Sequence, residues 1–182
     1  MPTWRHYIVG SIIGSGSNTR DLNNSFFESD YAKHWKSLLN SEVLASLVNK
    51  YGYKLVFAPH SNITPYLKNL NVPSYIKVLN TTDISFSIQK LFLEANVLIT
   101  DYSSVAFEMA ILNKPTIYYQ FDQLEMFSGA HTIQKGYFSY EEDGFGPVVT
   151  CERDVLKSLE SILKDDEEFL KSYRNRMMEV FP

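Results

Sequence analysis

The stretch VLITDYSSVAFEMAILNKPTIYYQFD, residues 97–122, sets an acid and two adjacent serines where an apolar run gives way to helical spacing. Ser103 and Ser104 fall in the first turn of that helix. There the leading N–H groups lack internal acceptors, and the helix dipole leaves partial positive charge. A phosphate fits such a position, and two hydroxyls add donors without bulk. A plain N-cap by Asp101 or Ser103 uses the same residues equally well. Glu108 lies four residues after Ser104, one turn along the same face, where its carboxylate can accept two hydrogen bonds from a ribose diol or simply face water. His60 follows Pro59 directly after the run YKLVFA, so its ring projects past the end of that strand, over a shared rim or as a cap on the next helix. His34, beside Trp35 in a helical stretch, reads as packing or surface. His131 sits in the loop SGAHTIQKGY near the same rim and is a further candidate, whereas His6 has no context. No D-x-D or H-x-x-x-H cluster is present, so no metal site is expected.

The elements that must position these groups alternate between strand and helix. HYIVGSII (6–13) is a short β-like run, followed by a Gly/Ser/Asn loop. Over 25–39, Phe27, Tyr31, Trp35, Leu38 and Leu39 recur at helical spacing. Ser41 caps a second helix carrying Val43, Leu44, Leu47 and Val48, and Gly52 ends it. YKLVFA (53–58) and YIKVLN (75–80) are strands. Ile88, Leu91, Phe92 and Ala95 mark a helix, and VLIT (97–100) is a strand apolar enough for burial on both faces. Val105, Met109 and Leu112 line the helix after the serines, and TIYY (116–119) is the next strand. Val155, Leu156, Leu159, Ile162 and Leu163 give an amphipathic helix, and the charged tail over 164–182 is helical. This alternation predicts βαβ units, a Rossmann-like doubly wound α/β fold with a parallel sheet, and one domain over 1–182. Ligands of such sheets sit beyond the carboxyl ends of the strands, where APHSN, TDYSS and QFD all fall.

Composition narrows the function classes. Hydrophobic residues make up 45% of 182 residues, enough for a core. The net charge of −4 argues against a general nucleic-acid binder. One cysteine, Cys151, excludes an internal disulfide and fits a reducing cytoplasm. No apolar run approaches the roughly 20 residues needed to span a bilayer, and no signal peptide is visible.

The run LITDYSSVAFEMAILNKPTIYYQFD resembles the CDP-glycerol glycerophosphotransferases, the teichoic-acid polymerases and their capsule-polymer relatives. Their pattern is an apolar strand, D-Y-S-S-V-x-F-D, L-x-K-P, then an aromatic strand ending in Y-D or F-D. MPTWR at the start is similar to the family's P-T-W-R, FAPHSN to R-P-H-P, and KGYFSYEEDGFGPVV to its R-G-F-Y and P-G-P segment. The resemblance runs in order from residue 2 to about 149.

It implies the C-terminal, CDP-binding half of a glycosyltransferase-B type enzyme, with the acceptor half and its candidate base absent. Ser103 and Ser104 match serines that hold the donor diphosphate, and Glu108 matches an aspartate near the ribose. His60 matches a histidine that contacts the donor phosphates and stabilises or protonates the leaving CMP, a role suited to its near-neutral pKa. Ala58 stands where the family usually has arginine, which removes a bidentate phosphate clamp. Pro59 belongs to the same motif, and Ser61 replaces its second proline. Pro2 and Thr3 match residues bordering the nucleotide; Asp101, Lys114 and Asp122 match positions without a specified role. The implied reaction transfers glycerol phosphate from CDP-glycerol, or a related CDP-linked donor, to a polymer hydroxyl, without metal or cofactor. The full-length protein is expected in the cytoplasm, at the inner face of the membrane. Two other readings remain open: the nucleotide-sugar half of a capsule or surface-polysaccharide glycosyltransferase of the same fold, and a nucleotide-binding module without activity.

Overall fold

The computed structural model describes residues 1–11, 21–81, 83, 87–128 and 136–182. In chain order the regular elements are α1 (Asp30–Leu39), α2 (Glu42–Lys50), β1 (Val56–Phe57), α3 (Leu67–Leu70), β2 (Lys77–Val78), α4 (Ile88–Glu94), β3 (Leu98–Thr100), α5 (Val105–Ile111), β4 (Thr116–Tyr119), α6 (Gln123–Phe127), α7 (Tyr140–Asp143), β5 (Val148–Val149), α8 (Glu152–Leu163) and α9 (Glu167–Val180). All pairings among them are parallel. One sheet has the order β1-β2, with Val56 opposite Lys77. The other has the order β3-β4-β5, with Ile99 opposite Ile117 and Tyr119 opposite Val149. The expected α/β class with parallel strands is what the structure has.

The alternation of side chains along the strands divides the core. Ile117 and Tyr119 of β4 pack with Trp35, Leu38, Leu44, Val48, Val155 and Leu159 of α1, α2 and α8. Leu98 of β3 packs on the other face with Phe92 of α4 and Met109 of α5. Each fully buried aliphatic or aromatic side chain contributes roughly 1.5–3 kcal/mol relative to exposure, so these two layers fix the strands. The apolar spacing read in α8 buries Val155, Leu156, Leu159 and Ile162 as expected. Ser41 Oγ accepts from Leu44 N–H at the start of α2. Gly52, at φ +70°, ends the same helix in the left-handed conformation that glycine adopts without strain.

Three expectations change. The segment expected as a strand over 6–13 is not one in its described part, 6–11: His6–Ile8 forms a 3-10 turn, and residues 12 and 13 lie outside the described residues. Ile8 and Val9 are both buried, which a two-sided alternating strand at a surface would not allow. The helix read from residue 25 begins at Asp30, because Ser29 Oγ accepts from Ala32 N–H while Phe26 stacks on Tyr66 at 4.0 Å within a 3-10 turn, Phe26–Glu28. And β5 was not foreseen as a strand. Its approach is made possible by Gly146, where any Cβ would stand 1.7 Å from the Thr116 carbonyl oxygen.

Candidate active-site rim

Residues 2–5 cross the carboxyl ends of three strands. Thr3 N–H donates to Asp101 Oδ1 at 2.8 Å, just after β3. Trp4 lies against His60, ring centroids 5.9 Å apart, just after β1. Arg5 reaches Asp122, just after β4. The loops APHSN, TDYSS and QFD therefore share one rim, held by a strip from the other end of the sequence.

Arg5 is the fastener. Its side chain is fully buried. Nε donates to Asp122 Oδ2 at 2.7 Å and Nη2 to Asp122 Oδ1 at 3.1 Å, a bidentate pair. Nη1 donates to Thr3 O at 2.8 Å and stands 2.9 Å from Asp101 Oδ2. With Nη1 aligned on the Thr3 carbonyl, the contact to Asp101 is an ion pair without hydrogen-bond alignment, and Oδ2 has no hydrogen-bond partner. The guanidinium also faces the rings of Tyr31 and Tyr102, each 5.1 Å away. Burial alone would lower the Arg5 pKa, but Asp101 and Asp122 together outweigh it and push it further up, so the cation persists.

Two carboxylates around one guanidinium leave a buried excess of one negative charge. Backbone and hydroxyl donors offset it. Thr3 N–H and Tyr102 N–H both serve Asp101 Oδ1 at 2.8 Å. Tyr102 O–H donates to Asp122 Oδ1 at 3.2 Å. Burial, then the Asp122 charge, raises the Tyr102 pKa, so the phenol remains a donor. Gln120 Nε2 donates to Asp101 O at 3.0 Å, and Tyr140 O–H to Tyr102 O at 3.2 Å. Asp101 and Asp122 thus lie within the rim, spent on internal partners. Arg5, Tyr102 and Gln120 were not singled out from the sequence, although all three fall inside the quoted motifs; a buried ion pair 117 residues apart leaves no periodic signal.

The groups left toward solvent are fewer. His60 is exposed, Ser104 is exposed, and Ser103, Glu108 and Thr3 are half-buried. Ser104 is the N-cap residue of α5 without a side-chain cap bond, while Ser103 Oγ accepts from Val105 N–H at 3.5 Å. His60 does cap the following 3-10 turn, Ser61–Tyr66: Nδ1 accepts from Asn62 N–H at 3.2 Å. That bond fixes the neutral ring with its proton on Nε2. Partial burial of the ring lowers the His60 pKa, a shift toward the neutral form. Pro2, Ala58 and Pro59 are buried behind these groups, and Thr81 Oγ1 donates to Pro59 O at 2.8 Å.

Lys114 is not brought to the rim. It precedes β4, at the amino end of the sheet, and its Nζ donates to Phe92 O and Leu93 O at 2.8 Å each, closing the end of α4. His131 lies outside the described residues. His34 is a packing residue, stacked on Phe121 at 4.3 Å with Nδ1 2.7 Å from Asp30 O. Among the described residues no group of three or more His, Cys, Asp or Glu side chains could hold a metal ion. None of their helices is long and apolar enough to cross a membrane.

Comparison with known proteins follows the same outline. Residues 1–182 match the family described as CDP-Glycerol:Poly(glycerophosphate) glycerophosphotransferase. The chain is 31% identical over 181 residues to the minor teichoic acid biosynthesis protein GgaB of Bacillus subtilis (strain 168), covering 100% of this chain and 19% of that protein. It is 35% identical over 109 residues to the teichoic acid poly(ribitol-phosphate) polymerase of Bacillus spizizenii (strain ATCC 23059 / NRRL B-14472 / W23), covering 58% of this chain and 16% of the relative. Among solved structures, a histidine-to-asparagine variant of the wall teichoic acid polymerase TagF superposes with a TM-score of 0.60 at 22% identity, over 99% of this chain and 36% of that one. The same variant soaked with CDPG gives a TM-score of 0.54 at 21% identity, over 85% and 41%. The chain spans less than a fifth of these two curated relatives.

Proposed function

Since the chain belongs to the CDP-glycerol:poly(glycerophosphate) glycerophosphotransferase family, we propose that it is the donor-binding domain of a transferase that builds a phosphodiester-linked cell-surface polymer. The observation that carries this reading is the rim itself, where the strip 2–5 brings His60 and the 101–104 turn to one side of the parallel strands. The donor diphosphate lies between the Nε2–H of His60 and the first turn of α5, with Ser103 and Ser104 as added donors. Glu108 accepts from the ribose hydroxyls, and Pro2 and Thr3 border the nucleotide. Arg5, Asp101, Asp122 and Tyr102 position these groups without touching the donor.

The reaction is an in-line transfer at phosphorus. An acceptor hydroxyl attacks the β-phosphorus of CDP-glycerol, its O–P bond forms, the bond from that phosphorus to the bridging oxygen breaks, and CMP departs with the electron pair. The acceptor proton passes to a base in the acceptor half of the longer polypeptide. Charge gathering on CMP is the main barrier this half can lower, and aimed neutral donors in a fixed frame suit that task. The full-length enzyme works at the cytoplasmic membrane face, where its polymer is exported.

Titration of the chain with CMP, CDP, CDP-glycerol and a UDP-sugar at millimolar concentration, followed by ¹H–¹⁵N NMR, tests this. Cytidine ligands should perturb Thr3, His60, Ser103, Ser104 and Glu108, with CDP-glycerol turnover absent. Silence around Ser103 overturns the site, preference for the UDP-sugar overturns the donor in favour of a nucleotide-sugar transferase, and turnover by this chain alone overturns the half-enzyme reading.

A further inference from the structure

Helix α7 is fixed more firmly than its burial requires. None of its residues is fully buried. Yet Ser139 Oγ accepts from Glu142 N–H at 3.2 Å and Ser139 N–H donates to Asp143 Oδ2 at 2.8 Å, so the first turn is closed from both sides. Arg176 Nη1 donates to Gly144 O at 2.7 Å just beyond its end. The ring of Tyr140 is boxed in by edge contacts to Tyr118 and Phe138, centroids 5.2 Å away in both cases, and to Tyr102 at 5.9 Å. This frame delivers one polar group to the rim: the Tyr140 hydroxyl donates to Tyr102 O at 3.2 Å. Burial, then the charge of Asp101, pushes its pKa up to about 12, so the hydroxyl keeps its proton and remains a donor.

The carbonyl before it is gripped as well. Gln120, fully buried, donates from Nε2 to Asp101 O at 3.0 Å. Its Oε1 accepts from Gln123 Nε2 at 2.8 Å, and Gln123 Nε2 also reaches Glu141 Oε1 of α7 at 3.3 Å. A trans peptide sets its C=O and N–H on opposite sides. Holding the Tyr102 carbonyl toward Tyr140 therefore turns the Ser103 N–H away from it. The Tyr102 N–H is taken by Asp101 Oδ1. Among the described residues, neither the Ser103 nor the Ser104 N–H has an acceptor. Ser103 is half-buried and Ser104 exposed, so both N–H groups stand at the surface of the rim.

We infer that Tyr140 is a positioning residue for the donor: by gripping the Tyr102 carbonyl it aims the Ser103 N–H at the donor diphosphate, without touching the donor itself. The inference rests on the donor site proposed above. A turn free to rock spends part of its binding energy on ordering, whereas a pinned peptide meets the phosphate already oriented. Gln120 holds the preceding peptide in the same way, and Gln123 ties that grip to α7. The segment 139–143 thus has a task that its burial does not give it, which is to stand behind the 101–104 turn and keep two backbone donors pointing outward.

Tyr140→Phe tests this, because it keeps the ring and its neighbours and removes only the hydroxyl. Tyr118→Phe is the control. It removes a hydroxyl from the same wall, the acceptor of Phe145 N–H at 3.3 Å, which makes no contact with the turn. The 182-residue chain and both variants are titrated with CDP by ¹H–¹⁵N NMR, with urea midpoints measured alongside. A neutral hydrogen bond is worth roughly 2- to 12-fold in an equilibrium constant, so Tyr140→Phe should weaken CDP by about that factor. The CDP-induced shift of the Ser103 amide should shrink in the same variant. Tyr118→Phe should lower the urea midpoint and leave CDP affinity unchanged. CDP affinity undiminished in Tyr140→Phe, or diminished equally in Tyr118→Phe, overturns the inference and leaves the donor site standing. Absence of CDP binding to the unsubstituted chain overturns the donor site itself.

Discussion

Replacing Arg5 by methionine should cost this fold far more than neutralising either acid beside it. Methionine keeps most of the volume but removes both hydrogen bonds to Asp122, the bond to Thr3 O and the ion pair to Asp101. Two carboxylates, both buried, are then left without a counterion. Breaking a buried pair in this way costs about 3–5 kcal/mol, because the uncompensated charge remains desolvated. For a chain of this size that corresponds to a Tm drop of roughly 6–20 °C. Asp122→Asn behaves differently. It leaves Arg5 and Asp101 as a balanced pair, and the amide oxygen still accepts from Arg5, so the loss is about 1–3 kcal/mol. Urea denaturation of the three chains at pH 7 measures both losses. A loss below about 1 kcal/mol for Arg5→Met, or an Asp122→Asn chain as unstable as Arg5→Met, would refute the account of the rim.

The Met1 amine makes stability depend on pH: burial lowers its pKa to about 5, against a smaller upward pull from Asp101. The unfolded chain therefore binds more protons between about pH 5 and 8, so stability rises across that window, and an Nα-acetylated chain should lack this component in urea midpoints. In the full-length enzyme His60→Ala should lower kcat by roughly 10²–10³, the usual loss for one electrostatic donor. His60→Asn, which restores an N-cap acceptor but not the Nε2–H, should recover stability without recovering kcat; normal kcat in either variant removes His60 from the reaction.

Much of the scaffold was legible in the sequence because it is written locally. Apolar spacing gave α8, Ser41 and Gly52 bracketed α2, and the four-residue run TIYY gave β4 to the residue. The rim was legible only in part. The position of Ser103 and Ser104 before α5 followed from the break at TDYSS, and His60 at the end of β1 from Pro59. The strip that unites them did not follow from any pattern. Residues 6–13 carry β-branched residues and so looked like a strand, yet over 6–8 the chain is committed by its neighbours: Arg5 anchors one end and Ile8 enters the helical core. Asp101 and Asp122 matched motif positions without a specified role; their engagement with Arg5 depends on pairing across the whole fold. Lys114 looked equivalent to the other motif residues in sequence, but a lysine before β4 and an aspartate after it stand at opposite ends of the sheet.

The 117 residues between Arg5 and Asp122 also set a timetable. At typical rates of synthesis, about 5–20 residues per second, the strip 2–5 emerges roughly 6–23 s before the second carboxylate that will hold its arginine. During that interval the guanidinium has no reason to leave water, and the helices α1 and α2 can form from local contacts alone. Closing so long a loop also makes this pairing a late and slow event in refolding. The rim is therefore completed only after most of the chain has found its place.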